Sequence, residues 1–337
     1  MKKFNVVQIG VGHDHAYGAI SSLSHRENVN FLGYVKFEGE DATFNKHFKR
    51  YEGIPQLSLE QVYNLKDLDA VFIETEDKYL TRYAYEFVKR GIAVQMDKPG
   101  SQDRESFNKL FNLAKEKNVV LHTGYMYRYN PAIQKLIHMV KSGELGDILY
   151  IEAQMNCIHS EEKRKWLKDY KGGMMYFLGC HLVDLLFQLK GAPDEIIPLN
   201  SATNENVGED IGFAVFKYGN NCSFIKSTAV ELGGYLRRQI VVCGEKGTIE
   251  INPIENYSGV NSWGDDKYES DMYIALSANG GDGWGFRANK IEIGPFERYE
   301  TMYDEFFKIL NGEMANPYSY DYEMVVHDLL LKACGVQ

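Results

Sequence analysis

The sequence predicts an α/β protein whose N-terminal domain holds a doubly wound parallel sheet and whose C-terminal α+β domain holds a large, mostly antiparallel open sheet. Up to about residue 125, short apolar runs alternate with longer stretches of helical period, which is typical of a parallel sheet covered on both faces. Beyond that point most apolar runs are extended, with glycine and asparagine between them. A chain of 337 residues favours two domains over one, and we place them at residues 1–124 and 125–337.

In the N-terminal half, short apolar runs predict strands and the stretches between them predict helices. The predicted strands are Phe4–Gly10, Val29–Val35, Asp69–Glu74, Ile92–Met96 and Val119–Thr123. The predicted helices are Ala16–Arg26, Asp41–Tyr51, Tyr79–Arg90 and Asp103–Lys117. In a sheet of this kind the ligand lies beyond the carboxyl ends of the strands, so the segments that follow the strands are the ones to search for chemistry.

In the C-terminal half, after a predicted helix at Pro131–Ser142, alternating and β-branched runs predict a meandering antiparallel sheet. The predicted strands are Asp147–Cys157, Ile211–Tyr218, Cys222–Ala229, Arg238–Cys243 and Thr248–Ile251. Further helices are predicted at Phe177–Lys190, Tyr299–Leu310 and Tyr322–Ala333. The segment Gly259–Gly285, rich in glycine, serine, aspartate and asparagine, is predicted to be a long loop.

Charge and cysteine content narrow the class of partner. The formal net charge of −10 opposes binding to nucleic acid or to an anionic membrane surface, since both need clustered positive charge. No stretch approaches the ~18 uninterrupted apolar residues of a membrane helix. The five cysteines are odd in number and form no CxxC pair, which predicts neither a zinc site nor a disulfide framework. We therefore expect a cytoplasmic protein with a small-molecule partner.

The turn after the first predicted strand reads Gly10-Val11-Gly12-His13-Asp14-His15. Gly10 permits a tight turn, and Gly12 lets the backbone approach a pyrophosphate, although two such glycines also occur in ordinary strand-to-helix turns. His15 replaces the third glycine of a dinucleotide fingerprint, which implies a displaced helix or a side chain turned toward the ligand. A metal bound by His13 and His15 is an alternative, but residues two apart share a face only in a strand. We therefore expect a dinucleotide cradle and no metal, with Asp14 as the helix N-cap.

Lys36 and Glu38, which follow the second predicted strand, bear on the choice of cofactor. Enzymes that use NAD usually place a carboxylate there to bind the ribose hydroxyls. Lys36 stands at that position and favours the 2′-phosphate of NADP, whereas Glu38 can still serve NAD. Both cofactors stay open, and we expect NADP to be tolerated.

The segment Asp97-Lys98-Pro99 directly follows a buried predicted strand. We expect the ammonium of a lysine at this place, fixed by the proline after it, to point into the ligand crevice. There it can polarise a carbonyl or bind a hydroxyl. A surface lysine in a turn is the alternative.

Taken together, the motifs resemble those of the Gfo/Idh/MocA family of oxidoreductases. The resemblance covers about residues 1–250 and rests on Gly10-x-Gly12, Asp97-Lys98-Pro99, Gly124-x-x-x-Arg128-x-x-Pro131, and Gly172-Gly173 followed by Gly179-Cys180-His181-Leu182-Val183-Asp184. It implies a nucleotide-binding Rossmann domain, a C-terminal domain whose open sheet often forms subunit contacts, and NAD or NADP as cofactor. Many members act on sugars, inositols or related polyols.

Position by position, the resemblance implies Lys98 and His181 as the catalytic pair. The acid that the family places four residues before this histidine falls on Phe177, so that carboxylate is absent. Asp184, one helical turn after His181, can compensate only in part. The site is therefore expected to be a divergent one.

The resemblance also implies which residues contact cofactor and substrate. The expected cofactor-binding residues are Gly10, Val11, Gly12, His13, Asp14, His15, Lys36, Thr75, Glu76, Asp97 and Lys98. Of these, Thr75 and Glu76 stand where the family has a Thr-Pro-Asn turn, and Asp97 replaces its usual glutamate. The expected substrate-side residues are Arg128, Trp166, Lys168, Phe177 and Asp184.

The sequence thus predicts an NAD(P)-dependent oxidoreductase that moves a hydride to or from a carbinol or carbonyl carbon of a small polar, sugar-like or polyol-like substrate. Because Phe177 replaces an acid, a non-catalytic dinucleotide or sugar sensor is the alternative. A lyase or hydrolase that works through transient oxidation is a third. Apolar strands in Ile211–Ile251 leave one sheet face in need of cover, so we expect a dimer or tetramer formed through this sheet. Cover by helices of the same domain, within one chain, is the alternative.

Overall fold

The structure is a computed structural model that describes residues 3–279 and 288–336, and its chain forms two compact units. The first unit comprises Met1–Met126, Val260–Asp265 and Tyr299–Val325. The second comprises Tyr127–Gly259, Asp266–Arg298 and Val326–Gln337. The domains predicted at residues 1–124 and 125–337 stay a prediction. The compact units differ from them because the first unit also takes in two segments from late in the chain.

A parallel sheet forms the centre of the first unit. Its strands are β1 Phe4–Ile9, β2 Val29–Val35, β3 Ala70–Ile73, β4 Ala93–Met96 and β5 Leu121–Thr123. Their order is β2-β1-β3-β4-β5, and all neighbours run parallel. Strands β3 and β4 are buried along their whole length, which explains why they read as continuous apolar runs.

Several α-helices begin at an N-cap residue whose side chain accepts hydrogen bonds from the first backbone amides of the helix. In chain order the α-helices are α1 Ala16–Ser24, α2 Asp41–Lys46, α3 Leu59–Tyr63, α4 Leu80–Lys89, α5 Arg104–Lys117, α6 Pro131–Lys141, α7 Glu161–Trp166, α8 Met174–Phe177, α9 Cys180–Lys190, α10 Glu300–Leu310 and α11 Tyr320–Ala333. Asp103 caps α5 and Asn130 caps α6, each accepting two backbone hydrogen bonds. Within the described residues, no helix has the length and apolar character needed to cross a membrane.

Helices cover both faces of the first sheet. Phe72 on β3 packs edge-on against Tyr303 and Phe306 of α10, with ring centroids 5.0 and 5.4 Å apart. The neighbours of Phe72 on the strand point to the opposite face. They pack in an apolar cluster with Phe87 of α4 and Phe111 of α5. The predicted doubly wound sheet is therefore confirmed.

A larger, mixed sheet forms the centre of the second unit. Its strands are β6 Ile148–Asn156, β7 Glu195–Pro198, β8 Ile211–Tyr218, β9 Asn221–Thr228, β10 Gln239–Gly244, β11 Gly247–Ile251, β12 Asn256–Val260, β13 Asp266–Leu276 and β14 Asn289–Glu297. The order is β12-β13-β11-β10-β6-β9-β8-β7, with β14 also paired to β13. Strand β6 runs parallel to β9, whereas the pairs β7–β8, β8–β9, β6–β10, β10–β11, β11–β13 and β13–β14 are antiparallel. The predicted, mostly antiparallel sheet is confirmed.

Two element predictions are wrong. The expected loop Gly259–Gly285 contains strand β13, whose alternating residues Tyr268, Ser270 and Met272 are buried, so the polar composition concealed a period-two pattern. Residues 280–285 of that expected loop lie outside the described residues. The expected helix Phe177–Lys190 is divided into α8 and α9 at Gly179, where an added Cβ would lie 2.7 Å from the carbonyl oxygen of Met175.

Candidate active site

The carboxyl ends of three neighbouring strands bring separate turns together in the first unit. The parallel hydrogen-bond pattern continues beyond the strands: the amide of Glu74 donates to the carbonyl of Ile9 at 2.8 Å, and that of Asp97 donates to Ile73 at 3.1 Å. The amide of His13 donates to the carbonyl of Glu74 at 3.0 Å. The turns after β1, β3 and β4 therefore lie side by side, as expected for a ligand site of this fold.

The two glycines of the first turn are required by close packing. Gly10 has a φ of +90°, and a Cβ there would lie 2.5 Å from Cγ2 of Thr75. A Cβ at Gly12 would lie 2.8 Å from Oε1 of Glu40 and 3.1 Å from the amide nitrogen of Glu76. The turn therefore admits no side chain at these two positions and leads directly into helix α1, an arrangement that also suits a bound pyrophosphate. The residues present fit a dinucleotide.

The substitution Gly12→Val tests this cradle. Because overpacking typically costs about 1–3 kcal/mol, we expect affinity for both NAD and NADP to fall about ten- to hundredfold. The measurement is dinucleotide binding by fluorescence titration. Ala42→Val, at an exposed position of α2, is the control and should leave the affinity unchanged. Wild-type affinity for both cofactors in Gly12→Val would show that the cradle lies elsewhere.

Helix α1 begins differently from the expectation. Its N-cap is His15, no side chain caps its amides, and Asp14 is exposed, so the predicted N-cap role of Asp14 is wrong. His15 packs edge-on against Tyr299 at a centroid distance of 5.9 Å. Gly18, one turn further along the helix, is where a Cβ would collide with the ring of Tyr299. The close packing normally attributed to the third glycine is therefore made at Gly18.

A cluster of buried ionisable side chains lies behind the glycine turn. Oδ2 of Asp97 is 3.2 Å from Nδ1 of His13 and 2.9 Å from Nδ1 of His15. His13 also faces Glu74 at 3.8 Å and Asp77 at 3.7 Å. Apart from His15, which is partly exposed, these side chains are buried. The site thus contains more charge than the chain's motifs indicated.

The protonation states in this cluster follow from its contacts. Burial lowers the pKa of His13, but Asp97 and Asp77 more than offset it and raise this pKa to about 10. Burial raises the pKa of Asp97, yet the two histidines hold it well below its usual range. Burial and the Asp97 charge raise the pKa of Glu74 well above its usual range. At neutral pH, His13 is therefore cationic and Asp97 anionic.

Lys98 lies at the same edge of the sheet and is almost completely buried. Its backbone amide donates to Oδ1 of Asp97 at 2.6 Å, which orients the turn. Burial lowers the pKa of His15, and the charges of His13 and Lys98 lower it further against the opposing effect of Asp97. The ammonium of Lys98 therefore belongs to this electrostatic group, and it is the kind of donor that can bind a substrate oxygen.

Glu40 is a residue of the cofactor side that sequence reasoning missed. Its buried carboxylate accepts hydrogen bonds from the amides of Val11 at 3.0 Å and Phe37 at 2.8 Å. Lys36 bonds Asp41 at 2.7 Å, and Glu38 is exposed. The family pattern places this acid directly after the strand, whereas Glu40 immediately precedes α2. Its place beside the glycine turn suits the ribose better than that of Glu38.

Paired substitutions test the choice of cofactor. Lys36→Ala is expected to weaken NADP binding selectively, and more strongly at low salt, because the ammonium would contact the 2′-phosphate. Glu40→Gln is expected to weaken NAD more than NADP, because its carboxylate would accept from ribose hydroxyls and repel the phosphate. A lost charged hydrogen bond corresponds to roughly a tenfold change or more. Glu38→Gln is the control, and equal effects on both cofactors would contradict these assignments.

In the second unit, His181 lies buried on α9 against an aromatic and ionic network. The ring of Tyr127 meets it edge-on at 4.8 Å. The hydroxyl of Tyr127 donates to Glu255 at 2.6 Å and accepts from Arg238 at 2.9 Å. Burial raises the pKa of Glu255, but Arg298 and Arg238 lower it to about 2. This network holds the Tyr127 ring in place beside His181.

Arg128 and Asp184, expected on the substrate side, pair with each other. Nε and an η-nitrogen of Arg128 donate to the two carboxylate oxygens of Asp184 at 2.9 and 2.8 Å, and both side chains are buried. Asp184 and His181 are on the same helix, one turn apart. This ion pair anchors the segment carrying His181, and substrate contacts by its two members stay a prediction.

Phe177 lies in a group of aromatic side chains. Its ring meets Trp166 edge-on at 5.4 Å and lies 6.0 Å from His159. The ammonium of Lys163 stands 4.4 Å above it. Lys168 is exposed and donates to the carbonyl of Glu205 at 2.8 Å. The structure thus groups Trp166 with Phe177, while a substrate role for Lys168 stays a prediction.

A parallel sheet with a glycine turn at the carboxyl end of its first strand is typical of dinucleotide-binding proteins. Two consecutive family models match the chain: residues 4–125 match the oxidoreductase family with an NAD-binding Rossmann fold, and residues 133–250 match the GFO/IDH/MocA C-terminal domain. The chain belongs to the Gfo/Idh/MocA family. The predicted family and a nicotinamide cofactor are thereby confirmed.

The curated relatives match over part of their length. The chain is 26% identical over 215 residues to the uncharacterized oxidoreductase YhhX of Escherichia coli and 22% identical over 210 residues to the scyllo-inositol 2-dehydrogenase (NADP(+)) IolW of Bacillus subtilis. These matches cover 61% of this chain and 61% and 58% of the relatives, so the chain spans about three fifths of their length. KijD10, a 3-ketoreductase from Actinomadura kijaniata solved with TDP-benzene and NADP, matches with a TM-score of 0.75 and 14% identity, over 98% of this chain and 96% of its own. This last likeness shows the fold alone.

Proposed function

We propose that the protein is an NAD(P)-dependent dehydrogenase or reductase acting on a small polar substrate of the sugar or polyol class. The observation that carries the proposal is a buried lysine, Lys98, at the carboxyl end of β4 beside a glycine turn that fits a dinucleotide. The match to IolW, named as a dehydrogenase of an inositol, supports the substrate class.

In this proposal each residue has a distinct role. A bound nicotinamide dinucleotide supplies the hydride donor or acceptor. Lys98 polarises the substrate oxygen or protonates it, and Asp97 holds the lysine's turn through the 2.6 Å backbone contact. His181 assists as an acid or base. Phe177 offers an apolar wall and no proton, so it shapes the choice of substrate.

The test is a panel of sugars, inositols and other polyols, each incubated with NAD⁺ or NADP⁺ while nicotinamide reduction is followed by absorbance. We expect at least one compound to support repeated turnover, with NADP⁺ accepted. Tight dinucleotide binding without reduction by any compound of the panel would favour the second candidate, a non-catalytic sensor. The burial of Phe177 against Trp166, at the place of the family's acid, is the observation that favours this candidate.

We further propose a cytoplasmic homo-oligomer, a dimer or tetramer, formed through the second sheet. Tyr150 on β6, on the sheet face opposite the buried Ile151 and Ala153, is an exposed apolar side chain that such an interface would cover. Light scattering over a wide concentration range should give a mass of at least two chains. A mass of one chain throughout would contradict the interface.

A further inference from the structure

We propose that His13, His15 and Asp97 bind a divalent metal ion of the zinc type at the turn that also holds the dinucleotide. Each residue offers one ligand atom, and these atoms lie within 4.8 Å of one another. Two imidazoles and one carboxylate form a donor set that suits Zn²⁺, and the ion would displace the proton that His13 carries at neutral pH. The sequence alone favoured a dinucleotide cradle over a metal held by His13 and His15, because the third ligand stands 82 residues after His15 and only the strand register brings it alongside.

The distances suit a single small ion. Ligand atoms bound to tetrahedral zinc at about 2.0 Å lie about 3.3 Å apart. Oδ2 of Asp97 is 3.2 Å from Nδ1 of His13 and 2.9 Å from Nδ1 of His15, so two edges of the tetrahedron are already close to that length. His15 is partly exposed, and rotation of its side chain can complete the third edge.

Glu74 is a buried acidic side chain next to the three ligands. Among the described residues its Oε2 has no hydrogen-bond partner. The same oxygen lies 3.8 Å from Nδ1 of His13. On the other side of the ring, Nε2 of His13 faces Asp77 at 3.7 Å. A carboxylate behind a metal-binding histidine orients the ring and strengthens the metal bond.

Zinc and dinucleotide should exclude each other. His13 and His15 belong to the turn whose backbone forms the cradle, and Asp97 adjoins Lys98. An ion bound to these side chains would fix the turn around itself. Metal binding therefore does not depend on the proposed activity, and only its competition with dinucleotide rests on the proposed function.

The test is calorimetric titration of the full chain with Zn²⁺ in the absence of dinucleotide. We expect one ion per chain, with affinity about tenfold or more weaker in His15→Gln and Asp97→Asn. His138→Gln, which removes an exposed histidine of α6, should leave affinity unchanged. If the buried Asp97→Asn variant does not fold, as judged by thermal unfolding, the partly exposed His15→Gln decides.

A second titration repeats the measurement with NADP at saturation, and we expect the apparent Zn²⁺ affinity to fall. The proposal is overturned if wild type binds no Zn²⁺ or if His15→Gln binds it as tightly as wild type. It is also overturned if saturation with NADP leaves the apparent Zn²⁺ affinity unchanged. Absence of redox turnover in the polyol panel would reject the proposed function. The Zn²⁺ titration without dinucleotide would still test metal binding.

Discussion

Replacing Lys98 by alanine should reduce kcat about a hundred- to ten-thousandfold, the usual range for loss of a positioned acid or base. Lys98 is the buried cation at the ligand edge of the first sheet, next to the anionic Asp97. We expect dinucleotide affinity to change little, because the glycine turn and α1 are left intact. Lys98→Met, which keeps most of the volume but removes the ammonium, should lose kcat to a similar extent.

The control for this prediction is Lys78→Ala. Lys78 also follows a strand of the same sheet, but it is exposed and pairs with Glu76 at 3.0 Å, so turnover should stay normal. His181→Ala should cost less than Lys98→Ala, because Phe177 has already removed the family's neighbouring acid. Near-normal turnover in both Lys98 variants would show that the catalytic assignment is wrong.

The second large effect is expected on stability. Glu255→Gln should lower the free energy of unfolding by about 3–5 kcal/mol, because breaking a buried ion pair leaves charge uncompensated. The carboxylate of Glu255 bonds Arg238 at 2.6 Å, Arg298 and the hydroxyl of Tyr127. Urea denaturation measures the change. Glu245→Gln, at an exposed turn position, should change stability by less than about 0.5 kcal/mol.

The Glu255 effect should also depend on pH. Its pKa is about 2 in the folded chain against an ordinary value of 4.5. A group with a depressed folded pKa contributes stability above its unfolded pKa and loses it as pH falls toward the folded value. The difference in stability between wild type and Glu255→Gln should therefore be full above about pH 4.5 and shrink below it. A difference that stays constant down to about pH 2 would mean that the carboxylate is not ionised by the two arginines.

What could be predicted from the sequence is local. The alternation of strand and helix, the glycines of the first turn and the lysine after β4 are all visible in short windows, because period and turn chemistry act over a few residues. Strand β13 was hidden by its polar composition. The pairing of His15 with Asp97, and of Arg128 with Asp184, joins residues 82 and 56 positions apart. Such contacts depend on register and helix packing, which no short window contains.

Glu40 shows the same limit at shorter range. Its carboxylate accepts a hydrogen bond from the amide of Val11, which stands 29 residues earlier in the chain. The residues next to Glu40 in the sequence form no motif that marks it as a cofactor residue. Sequence spacing located this turn but not the carboxylate of Glu40. Searches for the ribose acid in divergent members should therefore include the residues up to the next helix.

Because α10 covers Phe72, the first sheet is synthesised on the ribosome well before the helix that packs on one of its faces. Strands β1–β5 are complete once Thr123 has been made, but Tyr303 and Phe306 follow about 180 residues later. At about 5–20 residues per second on the ribosome, that interval lasts roughly 10–40 s. Throughout it, one face of the nascent parallel sheet lacks its aromatic cover and presents Phe72 to the solvent. We therefore expect the first half of the chain to depend on chaperones that bind exposed apolar surface during translation.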